Sequence, residues 1–177
     1  LTDNSGYLEV PRVRTRAKVI MAKSPTRSPI IGRILGENLK SVSKDPANEV
    51  ALLVMHGPER KEENDEELRN LARLAAIVKD VTGIAEVFYG SLQDDAPPEI
   101  RAANVARMRE WIAKANASGK TVLVEPVLLT ASGRVSQKIG KDLGGLSYTF
   151  VDKGMIGHPL FAQWVRDTVA EKARPGS

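Results

Sequence analysis

The chain has 177 residues, of which 42% are apolar and 27% charged, with a net charge of +4; this length suits one well-buried domain and is short for two. The absence of cysteine excludes disulfides, iron–sulfur clusters and thiolate zinc sites. No segment approaches the roughly 20 apolar residues that span a bilayer, and the basic residues form no run interleaved with aromatic residues. We therefore predict neither a membrane span nor a nucleic-acid partner.

The first 47 residues resemble the tail of a repeat. They predict a strand over residues 12–21 and a helix over residues 30–42, joined by a polar loop that ends in Ser28-Pro29. The C-terminal end has the same order, with a loop that ends in His158-Pro159. We interpret residues 1–47 as a partial repeat that packs on the main domain, residues 48–177, or on a partner. A chance likeness between two common strand–proline–helix units is the alternative.

From residue 48 onward, strand and helix patterns alternate along the chain. The predicted strands are residues 50–55, 85–89 and 146–151, together with one contained in residues 121–129 that is interrupted or ends near Pro126. The predicted helices are residues 62–81, 97–117, 134–143 and 159–173. This alternation predicts βαβ units, hence an α/β fold with an open, mostly parallel sheet.

Apolar residues at helical spacing predict which side of each helix faces the core. The expected inner faces are Ile30, Ile31, Ile34, Leu35 and Leu39 in the first helix, Leu68, Leu71, Ala72, Ala75 and Val78 in the second, Ile100, Val105, Met108 and Ile112 in the third, and Leu160, Trp164, Val165 and Val169 in the last.

His56, one of only two histidines, stands where the strand 50–55 ends, and Gly57-Pro58 break the strand directly after it. Ligands of open α/β sheets bind at the carboxyl ends of the strands. An imidazole there can bind a metal ion or move a proton near neutral pH. His56 is therefore the leading candidate for a site residue. The alternative is a histidine that ends the strand and hydrogen-bonds a nearby carbonyl.

Four further side chains are weaker candidates. Glu125 lies inside an apolar strand, where a carboxylate needs a site role, a partner such as Arg134, or exposure to water. Asp94 and Asp95 can accept a proton or hold a metal ion, although Asp95 also stands where it can cap the following helix. His158 precedes a proline at a helix start, where a cap is an alternative to a ligand.

The ordered set of motifs resembles the CbiX-type sirohydrochlorin cobalt or iron chelatases, which are class II tetrapyrrole chelatases related to protoporphyrin ferrochelatase. The resemblance covers roughly residues 48–170 and is closest to the longer CbiX-like proteins. The motifs that carry it are Asp45-Pro46-Ala47-Asn48-Glu49-Val50, His56-Gly57 with Asn64 after a polar loop, Asp94-Asp95-Ala96-Pro97, the strand of residues 122–129 followed by Ser132-Gly133-Arg134-Val135, and Gly157-His158-Pro159-Leu160.

This resemblance implies a flavodoxin-like α/β fold that inserts a divalent metal ion, Co²⁺ or Fe²⁺, into a tetrapyrrole without ATP. His56 matches the family's first histidine and would serve as metal ligand and proton acceptor, with Glu125 as a second candidate ligand. The chain lacks the glycine-rich loop that nucleotide binding requires. The implied compartment is the cytoplasm, with a periplasmic or secreted protein left open.

The family's second histidine falls in the turn that reads Gly133-Arg134-Val135 in this chain. Arginine stays charged and does not ligate metals, but with Ser132 and Gly133 it suits a carboxylate on the rim of a tetrapyrrole. Two readings follow: a chelatase that works with His56 alone, or a binding protein for a metal or tetrapyrrole that kept the cleft. Pairing as a homodimer, or with a missing N-terminal repeat, is a further expectation.

Overall fold

A computed structural model describes residues 16–17 and 19–173. Two short 3₁₀ turns, Pro25–Arg27 and Pro46–Asn48, flank the first helix. The helices and strands in chain order are α1 (Pro29–Lys40), β1 (Glu49–Met55), α2 (Lys61–Thr82), β2 (Glu86–Ser91), α3 (Pro98–Ala117), β3 (Thr121–Pro126), α4 (Arg134–Asp142), β4 (Thr149–Phe150) and α5 (Pro159–Lys172). None of the helices in this part of the chain has the length and apolar character needed to cross a membrane.

The four strands form one open sheet in the order β2-β1-β3-β4, and every neighbouring pair is parallel. The flavodoxin-like α/β prediction is thereby confirmed. β1 lies in the centre, and its first six residues are buried. Because parallel strands end at one edge, residues that follow β1, β2 and β3 gather there. This carboxyl edge therefore holds the loops that carry the candidate residues.

Helices cover both faces of the sheet. One face packs on α1, α2 and α5 through residues such as Leu53 and Leu123, and the other packs on α3 and α4 through Leu52 and Val124. Successive side chains of a strand point to opposite faces. The position of a residue in its strand therefore fixes the face on which its side chain lies, and with it the helices that the side chain can contact.

The predicted helix over residues 30–42 packs onto the sheet of its own chain as α1. Ser28 Oγ accepts a hydrogen bond from the Ile30 amide at 3.3 Å and caps the helix. The helix approaches α2 closely, since a Cβ on Gly36 would lie only 2.6 Å from Val81 Cγ1. The strand predicted over residues 12–21 lies largely outside the described residues, and its described residues 16–17 and 19–21 form no strand. The partial repeat stays a prediction.

Three sequence predictions of core positions need correction. In α5, Leu160 and Trp164 pack on the core, but Val165 and Val169 are 41% and 62% exposed. Phe161 is the one buried residue of this helix in the described chain, so the core covers the Leu160–Trp164 side and leaves both valines exposed. Ile100, in the first turn of α3, is 41% exposed. It belongs to neither of the two hydrophobic clusters that the described residues form.

The last strand is shorter than predicted. The sequence predicts residues 146–151, whereas only Thr149 and Phe150 pair with β3. The Leu146 amide instead donates to the Leu143 carbonyl at 3.3 Å, in the turn that ends α4. That turn uses the beginning of the predicted strand, so pairing with β3 starts later.

Candidate functional site

The imidazole of His56 lies at the carboxyl edge, directly after β1, with 26% of its side chain exposed. The chain turns sharply at Gly57, which has a φ of 78°. A Cβ on Gly57 would overlap with Ser91 Oγ on the neighbouring strand. Glycine is therefore required here by both the backbone angle and the close approach of β2. This turn fixes where the imidazole stands.

A hydrogen bond orients the ring of His56. Its Nδ1 lies 3.1 Å from the carbonyl oxygen of Gly57, and because a carbonyl only accepts, Nδ1 carries the hydrogen. The lone pair of the neutral ring is then on Nε2. Nε2 lies 3.8 Å from Asp94 Oδ2 and 3.9 Å from Asp95 Oδ2. The expected carbonyl bond is present, and it aims the basic nitrogen at two carboxylates.

Two cations bind the carboxylate of Asp94: Arg101 from α3 and Lys138 from α4. Its Oδ1 accepts from Arg101 Nε and its Oδ2 from Lys138 Nζ, both at 2.6 Å. Arg101 also donates to Asp142 Oδ2 at 2.6 Å. Burial by itself would raise the pKa of Asp94, but the hydrogen bonds and charges of Lys138 and Arg101 outweigh it and hold that pKa below its usual value. Asp94 is thus an ionised anchor that joins its loop to α3 and α4.

Asp95 differs from its neighbour in exposure and in partners. Its side chain is 42% exposed, and within the described residues His56 is its one charged partner. The predicted helix cap is wrong, because α3 has Pro97 at its N-cap position and no side-chain cap. Asp95 is therefore the carboxylate of this pair that is available to a ligand.

We expect Asp94→Asn to lower the free energy of unfolding by about 2–3 kcal/mol at neutral pH, since it leaves Arg101 and Lys138 without their shared partner. The pKa of Asp94 is lower in the folded chain than in the unfolded one, so its contribution is present above the usual pKa. It disappears as the pH falls through the folded pKa. Urea unfolding of wild type and variant should therefore converge in acid.

The matched control is Asp80→Asn, which alters an exposed carboxylate on α2. We expect it to change the free energy of unfolding by less than about 0.5 kcal/mol. Equal stabilities of wild type and Asp94→Asn at neutral pH would contradict the anchoring role.

Glu125 is fully buried and does not join His56. Its Oε1 accepts from Asn38 Nδ2 at 3.1 Å, and no described residue bonds to its Oε2. Burial raises its pKa to about 9, against smaller opposing effects of Asn38 and Lys153. Asn38 belongs to α1, on the face opposite to the helices that hold Asp94. The predictions that Glu125 pairs with Arg134 or is exposed to water are therefore wrong. Because Glu125 bonds to α1 on the other face of the sheet, it is not positioned with His56 as a second metal ligand.

His158 caps α5, as one of the two readings predicted. Its Nδ1 accepts from the Leu160 amide at 3.2 Å, and its Nε2 lies 3.1 Å from Glu37 Oε2. Both ring nitrogens of His158 therefore have a partner.

His158 and Ser132 line a cavity of about 570 Å³ at the carboxyl edge, between the loops after β3 and β4. Within the described chain, no three His, Asp or Glu side chains are grouped to hold a metal ion.

Arg134 begins α4, exposed and following Gly133, which has a φ of 121°. No hydrogen bond or ion pair to its guanidinium is found among residues 16–17 and 19–173. The structure thus leaves this cation available at the carboxyl edge of β3.

Sequence reasoning missed two residues that organise the site. Gln93 is 6% exposed and has a φ of 49°; its Nε2 donates to the carbonyls of Pro58 and Glu59 at 3.3 and 3.2 Å. It ties the loop after His56 to the loop after β2, and no pattern in the sequence indicates this role. Arg101 had a signal, because a cation in the first turn of a helix opposes the dipole and needs an acidic partner.

Comparisons with known proteins bear on the fold. No protein-family model matches the chain, and no curated protein is significantly similar to it in sequence. Its structure is similar to that of SirB from Bacillus subtilis with Fe³⁺, with a TM-score of 0.66 and 17% sequence identity. The similarity covers 86% of this chain and 57% of the SirB chain, so the chain spans little more than half of SirB. With 17% identity, this structural similarity shows a shared fold alone.

Proposed function

We propose that the protein inserts a divalent metal ion, Co²⁺ or Fe²⁺, into a tetrapyrrole of the sirohydrochlorin type without ATP. The observation that carries the proposal is the placement of His56 Nε2 at the carboxyl edge, within 4 Å of the carboxylates of Asp94 and Asp95. The ordered CbiX-like motifs and the fold shared with an Fe³⁺-containing SirB structure support it.

The reaction needs a group that binds the metal ion and a group that takes up protons. Two pyrrole N–H protons must leave as the metal ion enters the ring. The lone pair on His56 Nε2 suits both tasks, because imidazole is basic near neutral pH and binds cobalt and iron. The negative charge of Asp94 is already balanced by Arg101 and Lys138. Asp95, which lacks such cations, is the better choice to help hold the metal ion or to pass a proton to solvent.

Arg134 is assigned to the substrate rather than to the metal ion. It stands beside Ser132 and Gly133 at the N-terminal end of α4, where a guanidinium and free backbone amides favour a carboxylate. Sirohydrochlorin carries carboxylates around its rim. A ring bound there presents its acidic edge to α4 and its centre to the loop that carries His56.

We expect Arg134→Ala to weaken sirohydrochlorin binding by about 1.5–3 kcal/mol, the range of a hydrogen bond to a charged group, and to change the insertion rate at saturation less. Titration by absorbance measures the affinity. Lys141→Ala, an exposed cation later on the same helix, is the control and should bind as wild type does. Arg134→His restores the family residue and should raise the insertion rate; a lower rate would contradict the assigned position.

The primary test is to incubate the protein with sirohydrochlorin and either Co²⁺ or Fe²⁺ under anaerobic conditions. Metal insertion is followed by absorbance against protein-free and metal-free samples. Insertion faster than in the protein-free sample supports the chelatase. The second candidate is a metal- or tetrapyrrole-binding protein, which Arg134 in place of a second histidine favours. A spectral shift without faster insertion would support that candidate, and absence of both effects would contradict both.

Assembly is part of the proposal. The exposed Val165 and Val169 give α5 two neighbouring apolar side chains on its outer side, which suits contact with a second copy or with another repeat of this kind. Sedimentation of wild type and a Val165→Ser, Val169→Ser double variant tests it. A monomeric wild type would contradict the homodimer.

A further inference from the structure

One oxygen of Asp94 faces two nitrogens at the carboxyl edge. Lys138 Nζ donates to Asp94 Oδ2 at 2.6 Å, and His56 Nε2 lies 3.8 Å from the same oxygen. The side chain of Asp94 is only 9% exposed, so this oxygen has room for few partners. An ammonium group therefore occupies the position at Asp94 that a metal ion bound to His56 would take.

The distances around His56 Nε2 suit a metal ion shared with the two carboxylates. Nitrogen and carboxylate oxygen bind a divalent ion such as Zn²⁺ at about 2.0–2.2 Å, so two ligands of one ion lie no more than about 4.3 Å apart. Nε2 lies 3.8 Å from Asp94 and 3.9 Å from Asp95. Yet no three such side chains in the described chain are grouped to hold a metal ion. A set of three ligands requires Asp94 Oδ2 to exchange Lys138 for the ion.

Of the two cations bound to Asp94, Lys138 is the one that can leave. Arg101 is 20% exposed and bonds to Asp94 Oδ1 and to Asp142 Oδ2, each at 2.6 Å. Lys138 is 45% exposed, and Asp94 is its one ion-pair partner among the described residues. A lysine ammonium is strongly hydrated and sits on a flexible stem, so it can turn into solvent. Arg101 meanwhile keeps Asp94 in place through the other oxygen.

We propose that the ammonium of Lys138 and a divalent metal ion bind Asp94 Oδ2 in alternation. This inference rests on the metal-binding part of the proposed function. Before an ion binds, Lys138 balances the charge of Asp94. When an ion binds to His56 and Asp95, Asp94 Oδ2 exchanges the ammonium for it, and the return of Lys138 favours release of the ion. A chelatase needs such release, because the ion that it binds must pass to the ring.

The test is calorimetric titration with Co²⁺ in the absence of tetrapyrrole. Lys138→Leu removes the ammonium and adds no ligand atom. We expect this variant to bind Co²⁺ about tenfold or more tightly than wild type, because a hydrogen bond between charged groups no longer has to be broken. Lys141→Leu removes an exposed ammonium from the same helix and is the control with the same change in charge; it should keep the wild-type Kd. A merely structural role of Lys138 would give weaker or equal binding.

A double variant separates exchange at Asp94 from charge repulsion at a distance. In Asp94→Asn the ammonium has no carboxylate to share with the ion, so adding Lys138→Leu should give no further gain in affinity. A gain of the same size in that background would show a general charge effect and overturn the proposal. Equal Kd values of wild type and Lys138→Leu would overturn it by themselves, even if Asp94→Asn fails to fold.

The outcomes also distinguish this inference from the proposed function. Co²⁺ binding by wild type without a gain in Lys138→Leu overturns the exchange and leaves metal insertion by His56 standing. A gain in Lys138→Leu without insertion into sirohydrochlorin supports the exchange and contradicts the chelatase. Absence of Co²⁺ binding by both proteins overturns both.

The release of the ion has its own readout in the insertion assay. Lys138→Leu should lower both the KM for Co²⁺ and kcat, because the ion is held more tightly and leaves more slowly. An unchanged kcat would overturn the role of Lys138 in release.

Discussion

Replacing His56 with alanine is expected to remove most metal insertion, by about 10²- to 10⁴-fold, the usual contribution of a general base. In the proposed reaction the same nitrogen holds the metal ion and accepts a proton, and neither carboxylate nearby replaces both roles. The fold should survive, because the imidazole stands at the edge of the sheet and, among the described residues, its one hydrogen bond is to the carbonyl of the next residue. The measurement is the initial rate of Co²⁺ insertion at saturating sirohydrochlorin.

His158→Ala is the matched control, since it removes the other histidine of the chain. It should lose the cap of α5, at a cost of about 1 kcal/mol in the free energy of unfolding, and keep the insertion rate. A His56→Ala protein that inserts metal as fast as wild type would refute the catalytic assignment. Calorimetric titration with Co²⁺ adds a separate readout, in which only His56→Ala should weaken binding.

Replacing Glu125 with glutamine is expected to stabilise the protein at neutral and alkaline pH. The folded chain keeps this carboxyl protonated up to a pKa of about 9, whereas the usual value is 4.5. Between these two values the unfolded state binds fewer protons than the folded state, so wild-type stability falls as the pH rises. Glutamine keeps the oxygen that accepts from Asn38 and has no proton to lose. Its advantage therefore grows with pH.

The limiting slope is about 1.36 kcal/mol per pH unit, so the advantage of Glu125→Gln should increase by up to about 2.7 kcal/mol over ~2 pH units near neutrality. Urea unfolding at several pH values between mildly acidic and mildly alkaline measures it. Glu99→Gln, an exposed carboxylate at the start of α3, should follow the wild-type slope. If the Glu125→Gln curve runs parallel to that of wild type, the carboxyl is ionised in the folded state and the assignment fails.

The sequence by itself determined the alternation of strands and helices, the central buried strand β1 and the position of His56 at its end. These features are local. An apolar run broken by Gly57-Pro58 ends a strand wherever it packs, and Ser28-Pro29 starts a helix through its own hydroxyl and fixed φ. Because backbone preferences act between residues that are close in sequence, a short stretch of sequence is enough to predict these features.

Only the tertiary structure decided which candidates meet. Glu125 bonds to a residue 87 positions away, and Lys138 reaches Asp94 across 44 positions. Whether a carboxylate is buried and neutral or paired and ionised depends on which helix crosses it, and helix placement follows from the register and packing of the whole sheet. For the same reason Val165 and Val169, apolar at helical spacing, stay exposed although Leu160 and Trp164 of the same helix pack on the core. A periodic pattern specifies an amphipathic helix, but the packed neighbours determine how much of its apolar side is buried.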